Sequence, residues 1–82
     1  MGLFLGVHKM IAGMEESQVE NGFASYKQSA QAKGLKVLGA VYSMEKGFGY
    51  CQTEAESAEQ VREAHQAVQV PLEDIIEVKA LS

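Results

Sequence analysis

Two imidazoles, His8 and His65, and one thiol, Cys51, are the residues of this 82-residue sequence whose types fit transition-metal or nucleophilic chemistry. Nitrogen and sulfur donors together suit a divalent transition ion. A thiol with a histidine base and an orienting group within hydrogen-bond reach is the pattern of covalent catalysis. Spacing decides neither. The histidines are not at the i, i+4 separation that presents two rings to one ion from a helix, and no helix N-terminus or neighbouring cation adjoins Cys51 in sequence to lower its pKa. Read singly, each histidine is a surface or half-buried residue with a satisfied hydrogen bond, and Cys51 is a small buried hydrophobe. A site exists only if the fold brings them together.

The elements that must do so are legible in the hydrophobic pattern. Leu3 to Lys9 is apolar on both faces, with Leu3, Leu5 and Val7 on one and Phe4, Gly6 and His8 on the other, as in a central strand. Ser17 with Glu20 forms a capping-box pattern at or within a turn of a helix start. Val19, Phe23, Tyr26 and Ala30 then share one helical face up to Gly34 as C′ residue. Two strands, Lys36 to Met44 and Phe48 to Thr53, meet at the turn Glu45-Lys46-Gly47. On the second of these, Phe48, Tyr50 and Gln52 make a bulky face, while Gly49, Cys51 and Thr53 make one that leaves room for a ligand, with Tyr26 and Gly49 as candidate pocket residues. A second helix opens at Ser57, with Gln60 as its capping partner, and carries Val61, Ala64 or His65, and Val68 along one side toward a stop at Pro71. Ile75 to Ala80 alternates as an edge strand.

That order predicts a single α+β domain over residues 1–82 with the ferredoxin-like βαββαβ arrangement: a four-stranded antiparallel sheet with both helices on one face. The name describes topology, and one cysteine could not hold an iron–sulfur cluster. The sheet face opposite the helices carries apolar side chains, which predicts an interface. A core this small, with no intrachain disulfide to staple it, points the same way, to a homodimer.

Composition narrows the partners. The chain has 46% apolar and 22% charged residues and a net charge of −4, with its seven basic residues scattered. No basic stripe is present to neutralise phosphates, so nucleic acid is not an expected partner. The opening apolar residues are broken by His8 and Lys9 and form neither a signal peptide nor a span, so no membrane partner is expected. One unpaired cysteine points to the cytoplasm. Three other patterns carry no site. The three Tyr and three Phe residues sit at core positions, the Glu54, Glu56, Glu59 run favours a helix dipole, and Gly47-Phe48-Gly49 lacks the third glycine and the helix of a dinucleotide loop.

The stretch Phe48-Gly49-Tyr50-Cys51-Gln52-Thr53-Glu54-Ala55-Glu56-Ser57-Ala58-Glu59-Gln60-Val61-Arg62-Glu63-Ala64-His65, followed by Glu73-Asp74-Ile75-Ile76-Glu77-Val78, resembles a family of small bacterial and archaeal ferredoxin-like proteins. The family's pattern is a strand ending in F-C-L, then E-A-x-x-A-E-A-V-x-x-x-H, then a closing strand of the D-E-I-x-E-V type. The resemblance extends weakly to the strand ending near His8. It includes a dimeric nickel-binding member, and it implies a ferredoxin-like dimer with Cys51, His65 and His8 as the positions carried over to a metal. Gln69 stands where members commonly place a second helix-two histidine, and Phe23 and Tyr26 stand where they tend to carry a histidine and an aspartate in helix one. The expected function is therefore a small ligand- or divalent-metal-binding protein, with nickel as the ion the resemblance implies. The alternatives are a dimeric α+β barrel enzyme, such as a small isomerase or a cofactor-free oxygenase with His65 as general base, and an interaction module with no small ligand.

Overall fold

A computed structural model describes residues 1–81 of the chain. The elements are β1 (Gly2–Lys9), α1 (Glu16–Ala32), β2 (Lys36–Ser43), β3 (Phe48–Ala55), α2 (Ala58–Gln66) and β4 (Asp74–Val78). This is the expected βαββαβ order. The strands form one antiparallel sheet in the order β2-β3-β1-β4, with β1 and β3 central and β4 at an edge.

Register decides which side chains meet. β1 pairs with β3 so that Phe4 faces Thr53, Gly6 faces Cys51 and His8 faces Gly49. Because side chains alternate across a sheet, these residues share the face that the helices cover, and Leu3, Leu5 and Val7 take the open face. On the covered side Phe4, Tyr26, Ala30, Leu35, Cys51, Ala55, Val61 and Ala64 form the buried core, with Phe23, Val37, Ala58 and Ile75 packed against it. The largest fully buried side chains include Tyr26, His65 and Thr53, so polar groups occupy the centre of a small core.

Several boundaries differ from the sequence reading, each for a local reason. α1 starts ahead of the Ser17–Glu20 pattern: Glu15 is the N-cap, and its N–H donates to Gln18 Oε1 at 2.8 Å. A side-chain acceptor three residues on satisfies the N-cap N–H, as in a capping box, but at Glu15 rather than at the expected Ser17. Gly34, at φ +80°, ends the helix as expected, and the Leu35 N–H donates to the Ala30 carbonyl. β3 runs two residues beyond the expected Thr53, to Ala55. α2 is capped by the Ser57 hydroxyl, which accepts from the Gln60 N–H at 3.4 Å. It ends at Gln66, well short of Pro71, because Gln69 adopts φ +58° and the Val70 N–H donates back to the His65 carbonyl at 3.0 Å. Val68 consequently leaves the helix. β4 is shorter than expected, and Ile75 is the strand residue that packs on the core.

Candidate metal centre

The sheet and α2 bring His8, Cys51 and His65 together although they lie 43 and 14 residues apart. His8 Nε2 is 3.4 Å from Cys51 Sγ, and His65 Nε2 is 3.5 Å from the same sulfur. The candidate donor atoms all lie within 4.8 Å of one another. The two rings are 5.2 Å apart, centroid to centroid.

Both tautomers follow from the backbone. His65 Nδ1 lies 2.8 Å from the Val61 carbonyl oxygen and His8 Nδ1 lies 2.9 Å from that of Pro71. A carbonyl only accepts, so each Nδ1 carries the proton and each Nε2 presents a lone pair to the sulfur. A hydrogen bond at the remote nitrogen that fixes the ring and its tautomer is the support that metal-ligating histidines ordinarily have. Cys51 has one proton for two such acceptors.

Electrostatics keep the cluster neutral. Burial pulls His65 down to about 4, against a partial upward pull from its bond to Val61, and burial likewise lowers His8. Burial pushes the Cys51 thiol up to about 11. These directions oppose a thiolate–imidazolium pair, which needs the sulfur low and the ring high. They suit metal binding, where neutral imidazoles are ready donors and the thiol proton leaves as the ion arrives.

The nitrogen–sulfur spacings fit an ion, which would draw the two rings closer together than the 4.8 Å within which the donor atoms now lie. Metal–nitrogen and metal–sulfur bonds of about 2.0 and 2.3 Å set at a tetrahedral angle span roughly 3.5 Å, which matches both nitrogen–sulfur distances. Imidazole and thiolate are donors that nickel, copper and zinc accept.

The neighbours that hold the site were only partly visible in the sequence. The candidate pocket residue Tyr26 stacks on His65 with centroids 3.7 Å apart, and its hydroxyl bonds to Thr53 Oγ1, so it orients the ring. Gly49, the other candidate, lines a pocket together with Tyr26, His8 and Cys51. His65 does not line that pocket; it borders a smaller one with Arg62, Gln66 and Val70 to Leu72. Gly6 was missed. A Cβ there would lie 2.6 Å from Cys51 Sγ and 3.5 Å from His65 Cε1, so its bare backbone makes room for the cluster. The available signal was a glycine inside a strand, which marks a close approach by another group. Pro71, read only as a helix stop, supplies the carbonyl that sets His8. Gln69, at the position where the resemblance places a second histidine, lines the pocket from a left-handed turn outside α2.

The sequence model of the family described as "SCO4226-like: Nickel responsive protein SCO4226-like" matches residues 4–78. The chain belongs to this family. The crystal structure of SCO4226 from Streptomyces coelicolor A3(2) is similar, with a TM-score of 0.84 over 98% of this chain and 99% of that chain. At 22% identity that likeness shows the ferredoxin-like fold. No curated protein matches the chain.

Proposed function

We propose that this member of the SCO4226-like family binds a divalent transition ion, nickel by the family's description, through His8 Nε2, Cys51 Sγ and His65 Nε2. The observation that carries the reading is the pair of Nε2 lone pairs aimed at one sulfur, each ring fixed by a backbone carbonyl. Three protein donors leave a further coordination position for water or an outside ligand. The ion would supply Lewis acidity at that position. The chain's own residues hold the geometry: Val61 and Pro71 set the rings, Tyr26 stacks on His65, and Gly6 gives the space.

The protein is further proposed to be one ferredoxin-like domain that works as a homodimer. Val41 and Ile76, 63% and 43% exposed, stand on the open sheet face with Leu5 and Val7, and a second copy would cover this apolar surface. The free thiol the site requires is the form a reducing cytoplasm maintains, which supports the cytoplasm as its compartment.

Thermal shift and calorimetric titration of the metal-stripped protein with Ni²⁺, Cu²⁺, Zn²⁺ and Co²⁺ test the metal reading. A saturable rise in Tm is expected, because a ligand held only by the native state stabilises it by mass action. Nickel should add a near-ultraviolet thiolate charge-transfer band that Cys51→Ser removes, and His65→Ala and His8→Gln should each abolish the Tm rise. A rise of full size in all three variants would exclude this cluster as the site.

A further inference from the structure

Beside the cluster lies a pocket of about 490 Å³, within the roughly 300–1,000 Å³ typical of small-molecule sites. Its floor is the covered face of the sheet at Gly49 and Cys51, with His8 at one side. Phe23 and Tyr26 of α1 form one wall, and the turn from Val68 to Pro71 forms another. Met10 and Met14 stand at its edge, and Tyr42 reaches across from β2 to donate its hydroxyl to Glu16 Oε2 at 2.6 Å. Gly49 keeps the floor low: a Cβ there would lie 3.3 Å from Tyr42 Cβ and 3.4 Å from Met10 Cε.

Three observations define what fits. The lining is mostly apolar, and flexible methionine side chains adapt to an occupant's shape. The charged side chains of the lining, Lys9 and Glu20, are exposed and opposite in sign, so nothing inside would neutralise an ion. The third is a proton count. Cys51 has one S–H, while His8 Nε2 and His65 Nε2 both need a donor. His65 is 1% exposed, and the Cys51 sulfur 3.5 Å from its Nε2 is the donor the fold places against that atom. The lone pair of His8 Nε2 is then left without a proton, at the pocket wall.

We infer that this pocket binds an uncharged, largely apolar organic molecule bearing one hydroxyl group, seated so that the hydroxyl donates to His8 Nε2. The hydroxyl supplies the missing proton, and the apolar body covers Phe23, Tyr26, Val68 and the two methionine side chains. This binding belongs to the metal-free protein and does not depend on the metal reading.

The test is a titration of chelator-treated protein with 1-naphthol, 1-methoxynaphthalene and 1-naphthoate, followed by NMR with labelled methionine, leucine and isoleucine methyls. 1-Naphthol should bind saturably, show nuclear Overhauser contacts to the Met10 and Met14 methyls, and bind about fivefold tighter than its methyl ether, the worth of one hydrogen bond. Naphthoate should bind more weakly than the ether. His8→Phe should erase the preference for the hydroxyl while retaining contacts to both methionines. The proposal is overturned by absence of saturable 1-naphthol binding, by contacts confined to Leu5 and Ile76 on the open face, by equal affinity for naphthol and its ether, or by tighter binding of naphthoate.

Discussion

His65 is a histidine held neutral deep in the protein, and Cys51 is a thiol held protonated beside it; together they give metal-free stability two edges in pH. The unfolded chain takes up a proton on His65 near its ordinary 6.5, whereas the folded state resists until about 4. Stability is therefore full above 6.5 and falls as pH drops toward 4, by about 3 kcal/mol at most, and the lowered His8 acts in the same direction. Cys51 works at the other end. Its folded pKa is raised from 9.0 to about 11, so its contribution is present below 9 and is lost as pH rises to 11, by a similar amount of about 3 kcal/mol. Urea midpoints measured in chelator from pH 4 to 11 should thus show a plateau between roughly 6.5 and 9. A midpoint flat from pH 4 to 7 would mean that His65 is hydrated in the folded state. The identities of His8, Cys51 and His65 were legible in the sequence. Their convergence was not, because it depends on the Gly6–Cys51 pairing and on where α2 crosses the sheet.

At the scale of elements, strand pairing and helix termination build the site. β1 places His8 one diagonal step from Cys51, and Gly6 directly opposite Cys51 leaves the volume that the His65 imidazole of α2 approaches. Gly6→Ala should force the Cys51 sulfur from its position. Overpacking of this kind costs about 1–3 kcal/mol, and the larger effect should be loss of the nickel-induced Tm rise with the far-ultraviolet circular dichroism of the fold retained. A variant that kept the whole metal response would show that the sulfur does not act from the place where it stands. The early stop of α2 belongs to the same device. Ending at Gln66 and turning through Gln69 brings the Pro71 carbonyl to His8 Nδ1. The expectation that the helix would continue toward Pro71 rested on apolar spacing, which Val68 continues in sequence while its backbone has already turned away.

For the whole molecule, the two sheet faces divide the work: one carries the core and the cluster, and the other, rich in apolar side chains, is uncovered by any element among the described residues. In the proposed dimer, two chains of 8.9 kDa join through this open face, and sedimentation at micromolar concentration should return about twice the chain mass. Val41→Glu combined with Ile76→Glu should yield a folded monomer, because both side chains are exposed in the single chain and desolvated charge would be trapped only in the dimer. A monomeric wild-type protein would remove the dimer from the proposal. Among the described residues no helix is long and apolar enough to cross a membrane.

Alternating and helical periodicities, the capping Ser57, the Glu45-Lys46-Gly47 turn and Gly34 determined the order of elements and the antiparallel ferredoxin-like sheet, because these signals are local and act over a few residues. The three donor types were equally fixed by the chain. Only the tertiary structure decided that they meet, which ring nitrogens face the sulfur, and that Gly6, Val61 and Pro71 serve the site. Those facts arise from strand register and from backbone carbonyls, which every residue carries and no residue type announces.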